Sequence, residues 1–258
     1  MRDITYPPVI WTCKTLFKAL GQKITISGAE NIPLEGGALL ASNHIGYVDF
    51  VYAGLAAQPA NGRLVRFMAK KEVFDHPVGG PIMRSLHHIP VDRGDGIGSF
   101  HHAVDFLKKG ELVGIFPEAT ISRAMEIKEF KTGAVRIAAA AGVPVIPVVL
   151  WGTQRMMTKD HPKDFSRGKS IHIQVGAPMP VTGDDPVAET AELRSTMSAM
   201  LDDVIAGYPA DEQPPGSWWL PAKHGGSAPT LERAAEMDAE EKRERARRKA
   251  AKAAARKS

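Results

Sequence analysis

Between residues 23 and 175 short apolar runs keep giving way to amphipathic stretches, and this alternation constrains the fold more than any other feature of the chain. Residues 23–27 (KITIS) alternate as a strand does, and the short apolar run 37–42 (GALLAS) ends at Asn43-His44. Val48–Ala57 has helical spacing, Leu64–Ala69 reads as a strand, Val78–Leu86 as a helix and residues 87–91 (HHIPV) as a further strand. The spacing predicts an amphipathic helix over Gly98–Lys109 stopped by Gly110, a buried strand over Leu112–Phe116, and a helix over Glu129–Ala141 capped by Gly142. Residues 143–150 (VPVIPVVL) and 170–175 read as strands, and Glu189–Ile205 as a long helix. Pro144 and Pro147 remove ladder donors, which predicts an edge position or a bulge for their strand. Strands and helices in turn imply an α/β fold, a mixed, largely parallel β-sheet flanked by helices.

Three regions follow. Residues 1–22 hold an amphipathic helical segment, because residues 9–20 set Ile10, Trp11, Leu16, Phe17 and Leu20 around Lys14 and Lys18. Such a helix suits either a water–lipid boundary or the protein's own core. Residues 23–208 form the layered domain. Residues 209–258 begin with a Pro/Gly-rich linker holding Trp218-Trp219, expected to pack back on the body in preference to a lipid interface. They end in an Ala/Glu/Arg/Lys-rich tail that is either helical or disordered.

The tail also explains the charge. From Lys242 to Ser258 nine basic residues face the single acid Glu244, so the net charge of +4 belongs to the tail and the body is net acidic. A basic block favours anionic lipid or nucleic acid; the tail holds no aromatic residue for base stacking, so no nucleic-acid partner is expected. Residues 1–12 carry an acid, two prolines and no long apolar run, so no secretory leader is expected, and no stretch approaches the roughly 20 apolar residues of a spanning helix. The single cysteine, Cys13, excludes an internal disulfide and a cysteine-based metal site.

Chemistry concentrates at the carboxyl ends of the predicted strands, where open α/β sheets bind ligands. In Asn43-His44-Ile45-Gly46-Tyr47-Val48-Asp49 a histidine leaves a strand, and an aspartate five residues on opens a helix. The carboxylate can hold one ring N–H while the other nitrogen takes a proton, the arrangement of a general base. Alone, the spacing fits a structural histidine as well. Phe116-Pro117-Glu118-Ala119-Thr120 puts a carboxylate at a second strand end, suited to ligand hydroxyls or to a helix cap or ion pair. Val91-Asp92-Arg93 puts a guanidinium at a third, where it can fork onto a phosphate. Lys70 and Lys131 end or follow other elements on that side. A base, a carboxylate and several cations at one sheet edge point to a hydroxyl acceptor that carries phosphate.

The blocks NHIGYVD, VDR, FPEAT and VPVIPV, in this order, resemble the glycerolipid acyltransferase family, which includes the bacterial lysophosphatidic acid acyltransferases; the resemblance spans about residues 20–180. It implies His44 as base and Asp49 as the carboxylate that orients it, with Asn43 beside them. It implies Arg93 as a holder of acceptor phosphate, Glu118 as the acid of the third block with Phe116, Pro117 and Thr120 around it, and Pro147 on the acyl-donor side. The implied reaction is direct transfer of a fatty acyl group from acyl-CoA or an acyl carrier protein to the hydroxyl of 1-acylglycerol 3-phosphate, giving phosphatidic acid. No cofactor or metal is expected beyond that acyl-donor co-substrate. The implied location is peripheral, on the cytoplasmic face of the cell membrane, with anionic lipid as partner. Ala119 stands where the family commonly has glycine, and Ile121 where it has arginine, so glycerol 3-phosphate or another lysolipid stays open as acceptor. Arg123, Lys128 and Lys131 are candidate replacements for the missing cation.

Two rival readings fit these residues less well, a lipid-surface protein without turnover and a hydrolase using the same His-Asp pair. A non-catalytic lipid-surface protein has no need of a base–carboxylate pair. A hydrolase needs an exposed nucleophile, and Ser42 and Ser122 lie outside any Gly-x-Ser-x-Gly turn.

Overall fold

The computed structural model describes residues 3–92 and 96–255. The expected alternation is present: β1 Lys23–Ser27, β2 Ala38–Ser42, α2 Asp49–Leu55, β3 Val65–Lys70, α3 Lys71–Phe74, α4 Gly79–Ser85, β4 Ile89–Val91, α5 Gly96–Lys108, β5 Leu112–Ile115, α6 Gly133–Ala141, β6 Val145–Trp151 and β7 Ser170–Val175. Before them lies α1, Tyr6–Ala19, and after them α7, Pro186–Ala206, and α8, Leu231–Ala255. The strands form one seven-stranded sheet in the order β1-β7-β6-β2-β5-β3-β4. β6, β2, β5, β3 and β4 run parallel, while β7 runs antiparallel to β6 and parallel to β1. The carboxyl ends of the five parallel strands therefore open on one edge.

Apolar alternation divides the core between the two faces of this sheet. Leu39 and Ala41 of β2, with Val145, Val149 and Trp151 of β6, meet α5, α6 and α7 on one face. Ala38, Leu40, Ile146, Val148 and Leu150 meet α1 and α2 on the other. β2 is covered on both sides, which is why its sequence is a run of small and aliphatic residues with no polar phase. Asp185 caps α7 by accepting from the Val187 and Ala188 N–H groups, with Pro186 in the first turn. Gly142 ends α6 at φ +68°.

The prolines of β6 do not make it an edge strand. It lies between β2 and β7, level with β2 from Val145 to Val148. Val145 bridges Met179 and Val148 pairs with Val175, so the facing chain takes one residue more than β6 between these pairs. Pro147 sits opposite that bulge, where no ladder donor is asked of it, and its carbonyl accepts from the Gly176 N–H at 2.8 Å. A Cβ on Gly176 would stand 2.7 Å from the Pro147 ring, so the close approach needs glycine.

Several other boundaries differ from expectation by a few residues, three of them for visible reasons. β4 begins at Ile89, because His87 takes φ +55° and cannot extend the strand. α6 begins at Gly133, because the Lys128 and Lys131 N–H groups are drawn to Glu118 and to the Pro117 carbonyl. α1 begins at Tyr6, with Pro7 and Pro8 tolerated in its first turn.

α1 has two characters. Tyr6 and Phe17 are buried; the Tyr6 hydroxyl donates to the Val65 carbonyl at 2.6 Å, and Phe17 stacks on Tyr52. Trp11 and Leu16 are exposed beside Lys14 and Lys18. Trp219 is buried under Arg155, and Trp218 stacks on His161 at 3.6 Å between ring centres, so the tryptophan pair packs back on the body. Among the described residues no helix is long and apolar enough to cross a membrane.

Candidate active site

The site begins where β2 runs out. Asn43, fully buried, continues the ladder with its side chain, donating to the Leu150 carbonyl at 3.0 Å and accepting from the Leu150 N–H at 2.7 Å. With the strand end fixed, residues 44–48 turn over to the start of α2 and bring Asp49 beneath His44.

Asp49 has no solvent exposure, and its carboxylate is well supplied with donors. Oδ2 accepts from the Ile45 and Gly46 N–H groups, each at 2.7 Å, and lies 2.9 Å from His44 Nδ1. Oδ1 accepts from the Thr153 hydroxyl at 2.6 Å. A carboxylate so placed only accepts, so Nδ1 of His44 carries the ring proton and Nε2 the lone pair. The His44 side chain is 22% exposed, and its ring stacks on Phe116 at 4.4 Å. The arrangement can take a proton from a group that reaches Nε2.

Glu118 closes on this loop from the end of β5. Its carboxylate accepts from the His44 N–H at 2.9 Å and from the Lys128 N–H at 3.3 Å. Burial pushes its carboxyl up to about 8, against the lowering effect of the His44 N–H bond. The geometry gives it a tie between two loops, with Pro117 buried beside it. Thr120 Oγ1 accepts from Lys128 Nζ at 2.6 Å. Ala119 takes φ +60°, a left-handed backbone that glycine adopts without penalty, which accounts physically for the glycine of the family pattern.

Of the cations, Lys70 ends β3 exposed and Lys131 is exposed in the loop before α6. Arg93 lies outside the described residues. Lys71 pairs with Asp92 at 3.4 Å, and both line a pocket of about 260 Å³ with Pro90, Gly98, Ser99 and His102. Ile121 is buried at 3% exposure. Arg123 and Lys128 are engaged by the tail: Arg123 pairs with Asp160, Asp238 and Glu241, and Lys128 with Asp238, while Lys159 pairs with both tail acids. α8 therefore lays its acidic half on this cluster and carries its basic half beyond it. Pro147, level with Ala41 and buried inside the sheet, is not among the edge residues. Ser42 and Ser122 are both buried, at 1% and 0% exposure, and neither presents a hydroxyl to solvent.

The loop after β6 supplies what the sequence reading missed. Besides Thr153, the Thr158 hydroxyl donates to the Ile45 carbonyl at 2.6 Å, and the Tyr47 N–H to the Met157 carbonyl at 2.8 Å. Gly46 is pressed between these groups; a Cβ there would lie 3.1 Å from the Met157 oxygen and 3.2 Å from Asp49 Oδ1. The available signal was a hydroxyl residue just past the fourth block, on the edge that already held the base.

Comparison with known proteins bears on the family and the fold. The family profile described as Acyltransferase matches residues 23–151. The chain is 35% identical over 157 residues to the 1-acyl-sn-glycerol-3-phosphate acyltransferase of Bacillus subtilis, covering 60% of this chain and 73% of that protein. It is 30% identical over 184 residues to a chloroplastic 1-acyl-sn-glycerol-3-phosphate acyltransferase of Arabidopsis thaliana, covering 70% of this chain and 49% of that one. The fold resembles the crystal structure of the 1-acyl-sn-glycerophosphate (LPA) acyltransferase, PlsC, from Thermotoga maritima. That match has a TM-score of 0.66 at 23% identity over 79% of this chain and 81% of the other, a likeness of fold.

Proposed function

This chain belongs to the acyltransferase family, and from that premise we propose that it moves a fatty acyl group from acyl-CoA or an acyl carrier protein to the free hydroxyl of 1-acylglycerol 3-phosphate. The observation that carries the proposal is the His44–Asp49 pair, 2.9 Å apart, with Asp49 buried and the imidazole at the sheet edge. His44 Nε2 takes the hydroxyl proton as the oxygen attacks the thioester carbonyl. The tetrahedral adduct collapses with cleavage of the C–S bond, and the imidazolium returns the proton to the leaving thiolate. The products are phosphatidic acid and free thiol. The thioester brings its own activation, so the reading asks for no cofactor.

Asn43 sets the strand end, Glu118 ties the third block to the base, and Phe116 floors the imidazole. With Ile121 buried, and Arg123 and Lys128 engaged by α8, this reading assigns acceptor phosphate to Arg93, Lys70 and Lys131. Glycerol 3-phosphate and other lysolipids are the competing acceptors. The exposed Trp11 and Leu16 beside lysines, and the basic half of α8, support peripheral work on anionic lipid at the cytoplasmic face of the cell membrane.

The test is thiol release and lipid product formation from acyl-CoA across a panel of acceptors, for wild type and His44→Ala. We expect 1-acylglycerol 3-phosphate to be the best acceptor, and the variant to lose nearly all turnover while melting like wild type. Equal rates from the two proteins would remove His44 as the base, and a different preferred acceptor would reassign the substrate.

A further inference from the structure

We infer that Thr153 is a positioning residue for the base, holding the Asp49 carboxylate, and through it the His44 imidazole, in the reactive geometry. The inference rests on the acyltransferase reading above. It starts from how unevenly the two oxygens of Asp49 are served. Oδ2 meets His44 Nδ1 and the Ile45 and Gly46 N–H groups, all from its own loop. Oδ1 meets the Thr153 hydroxyl, from the other side of the sheet edge and 104 residues along the chain. Three donors tie one oxygen to its own loop, and the short bond to the second oxygen ties the carboxylate, and that loop with it, to the segment after β6.

Thr153 is itself held for this purpose. It is fully buried, and it follows Gly152, whose φ of +101° turns the chain sharply out of β6. A Cβ on Gly152 would stand 2.3 Å from the Ser170 carbonyl oxygen, so the turn admits glycine alone. The Gly152 N–H donates to Gln154 Oε1 at 2.8 Å, closing the turn on itself. The same segment then grips the catalytic loop at two further points, through Met157 and Thr158. The loop after β6 is a template against which residues 44–49 are shaped, and Thr153 is its contact with the chemistry.

Two substitutions separate positioning from packing. Thr153→Val keeps shape and volume and removes the donor; Thr153→Ser keeps the donor and removes a methyl group. Hydrogen-bond partners that orient metal-bound histidines commonly govern about 10- to 100-fold in affinity or activity, and the same order is expected for the support of a base. We expect Thr153→Val to lose kcat in that range with KM within about twofold of wild type, and Thr153→Ser to stay within about threefold of wild type. The acidic limb of the pH–rate profile should move upward in Thr153→Val alone, since a carboxylate short of one donor holds an imidazolium more tightly. Asp49 and Glu118 are the carboxyls bonded to residue 44, and both are intact in these variants.

The same variants are followed by the NMR signal of the His44 Nδ1 proton, which needs no turnover; it should shift in Thr153→Val and return in Thr153→Ser. A loss of activity that follows the folded fraction, with pH limb and ring-proton signal unmoved, overturns the positioning role. Absence of acyl transfer by wild type, with the ring-proton shift still present, would overturn the acyltransferase reading while leaving Thr153 as the support of the pair.

Discussion

Replacing Asp49 by asparagine removes one negative charge from beneath His44 and leaves the shape of the site in place. The amide oxygen can take the position of Oδ2, keeping the bonds from His44 Nδ1, Ile45 and Gly46. The amide NH₂ then faces Thr153, whose hydroxyl can turn to accept in place of donating. The fold should therefore survive nearly unchanged. What is lost is the attraction between the carboxylate and the imidazolium that forms as the acceptor hydroxyl gives up its proton. For unit charges about 4 Å apart at an effective dielectric near 20 that attraction is about 4 kcal/mol. On the rate scale this is close to 10³-fold. The assay is thiol release from acyl-CoA at saturating acceptor, paired with a melting curve. Asp49→Asn should keep its melting temperature within a few degrees and lose about three orders of magnitude in kcat. A folded variant turning over within tenfold of wild type would refute the charge argument and leave His44 without its assigned partner.

Glu118 gives a pH prediction: burial pushes its carboxyl up to about 8 from the 4.5 of a free glutamate, so the folded state holds this proton more tightly than the unfolded one. Its contribution to stability is complete below about 4.5 and is lost as pH rises through about 8, at up to about 1.4 kcal/mol per pH unit. Denaturant unfolding of wild type between pH 5 and 8 should therefore slope downward relative to Glu118→Gln, and parallel curves would contradict it. The tail offers a salt-dependent prediction. Asp238→Asn with Glu241→Gln removes the pairs to Arg123, Lys128 and Lys159, each worth about 0.5–1 kcal/mol at these partly buried positions. Trypsin should then cut within residues 242–248 faster than in wild type, and the difference should shrink in high salt. Equal cutting at low salt would mean that packing and not charge holds α8.

The sheet and the pair were legible in the sequence because both are written locally. Apolar alternation marks each strand within a few residues, and His44 and Asp49 are five apart with a helix start between them. Of the two expectations for β6, an edge or a bulge, the bulge is the one present, and it lies at Gly176 in the facing chain, which the prolines' own missing donors do not locate. Thr153 and the docking of α8 escaped for a related reason. A threonine past a strand end and an aspartate in a charged helix have no local signature, and their partners sit 104 and 115 residues away. Glu118 was found as a residue of the site, but its bond to the His44 N–H depends on two loops meeting, which no spacing within either loop encodes.

The long reach of those bonds bears on when the enzyme comes into being as it is made. His44 and Asp49 leave the ribosome about a hundred residues before Thr153. Yet β2 has no neighbour until β5 and β6 exist, Asn43 waits for Leu150 and Asp49 for Thr153. Contacts this distant close slowly, because the intervening chain must first be ordered. A nascent or truncated chain that stops short of β6 carries the whole His44–Asp49 motif without the Leu150 and Thr153 bonds that hold it. The geometry of the pair is therefore set only when the loop after β6 folds over a motif synthesised about a hundred residues before it.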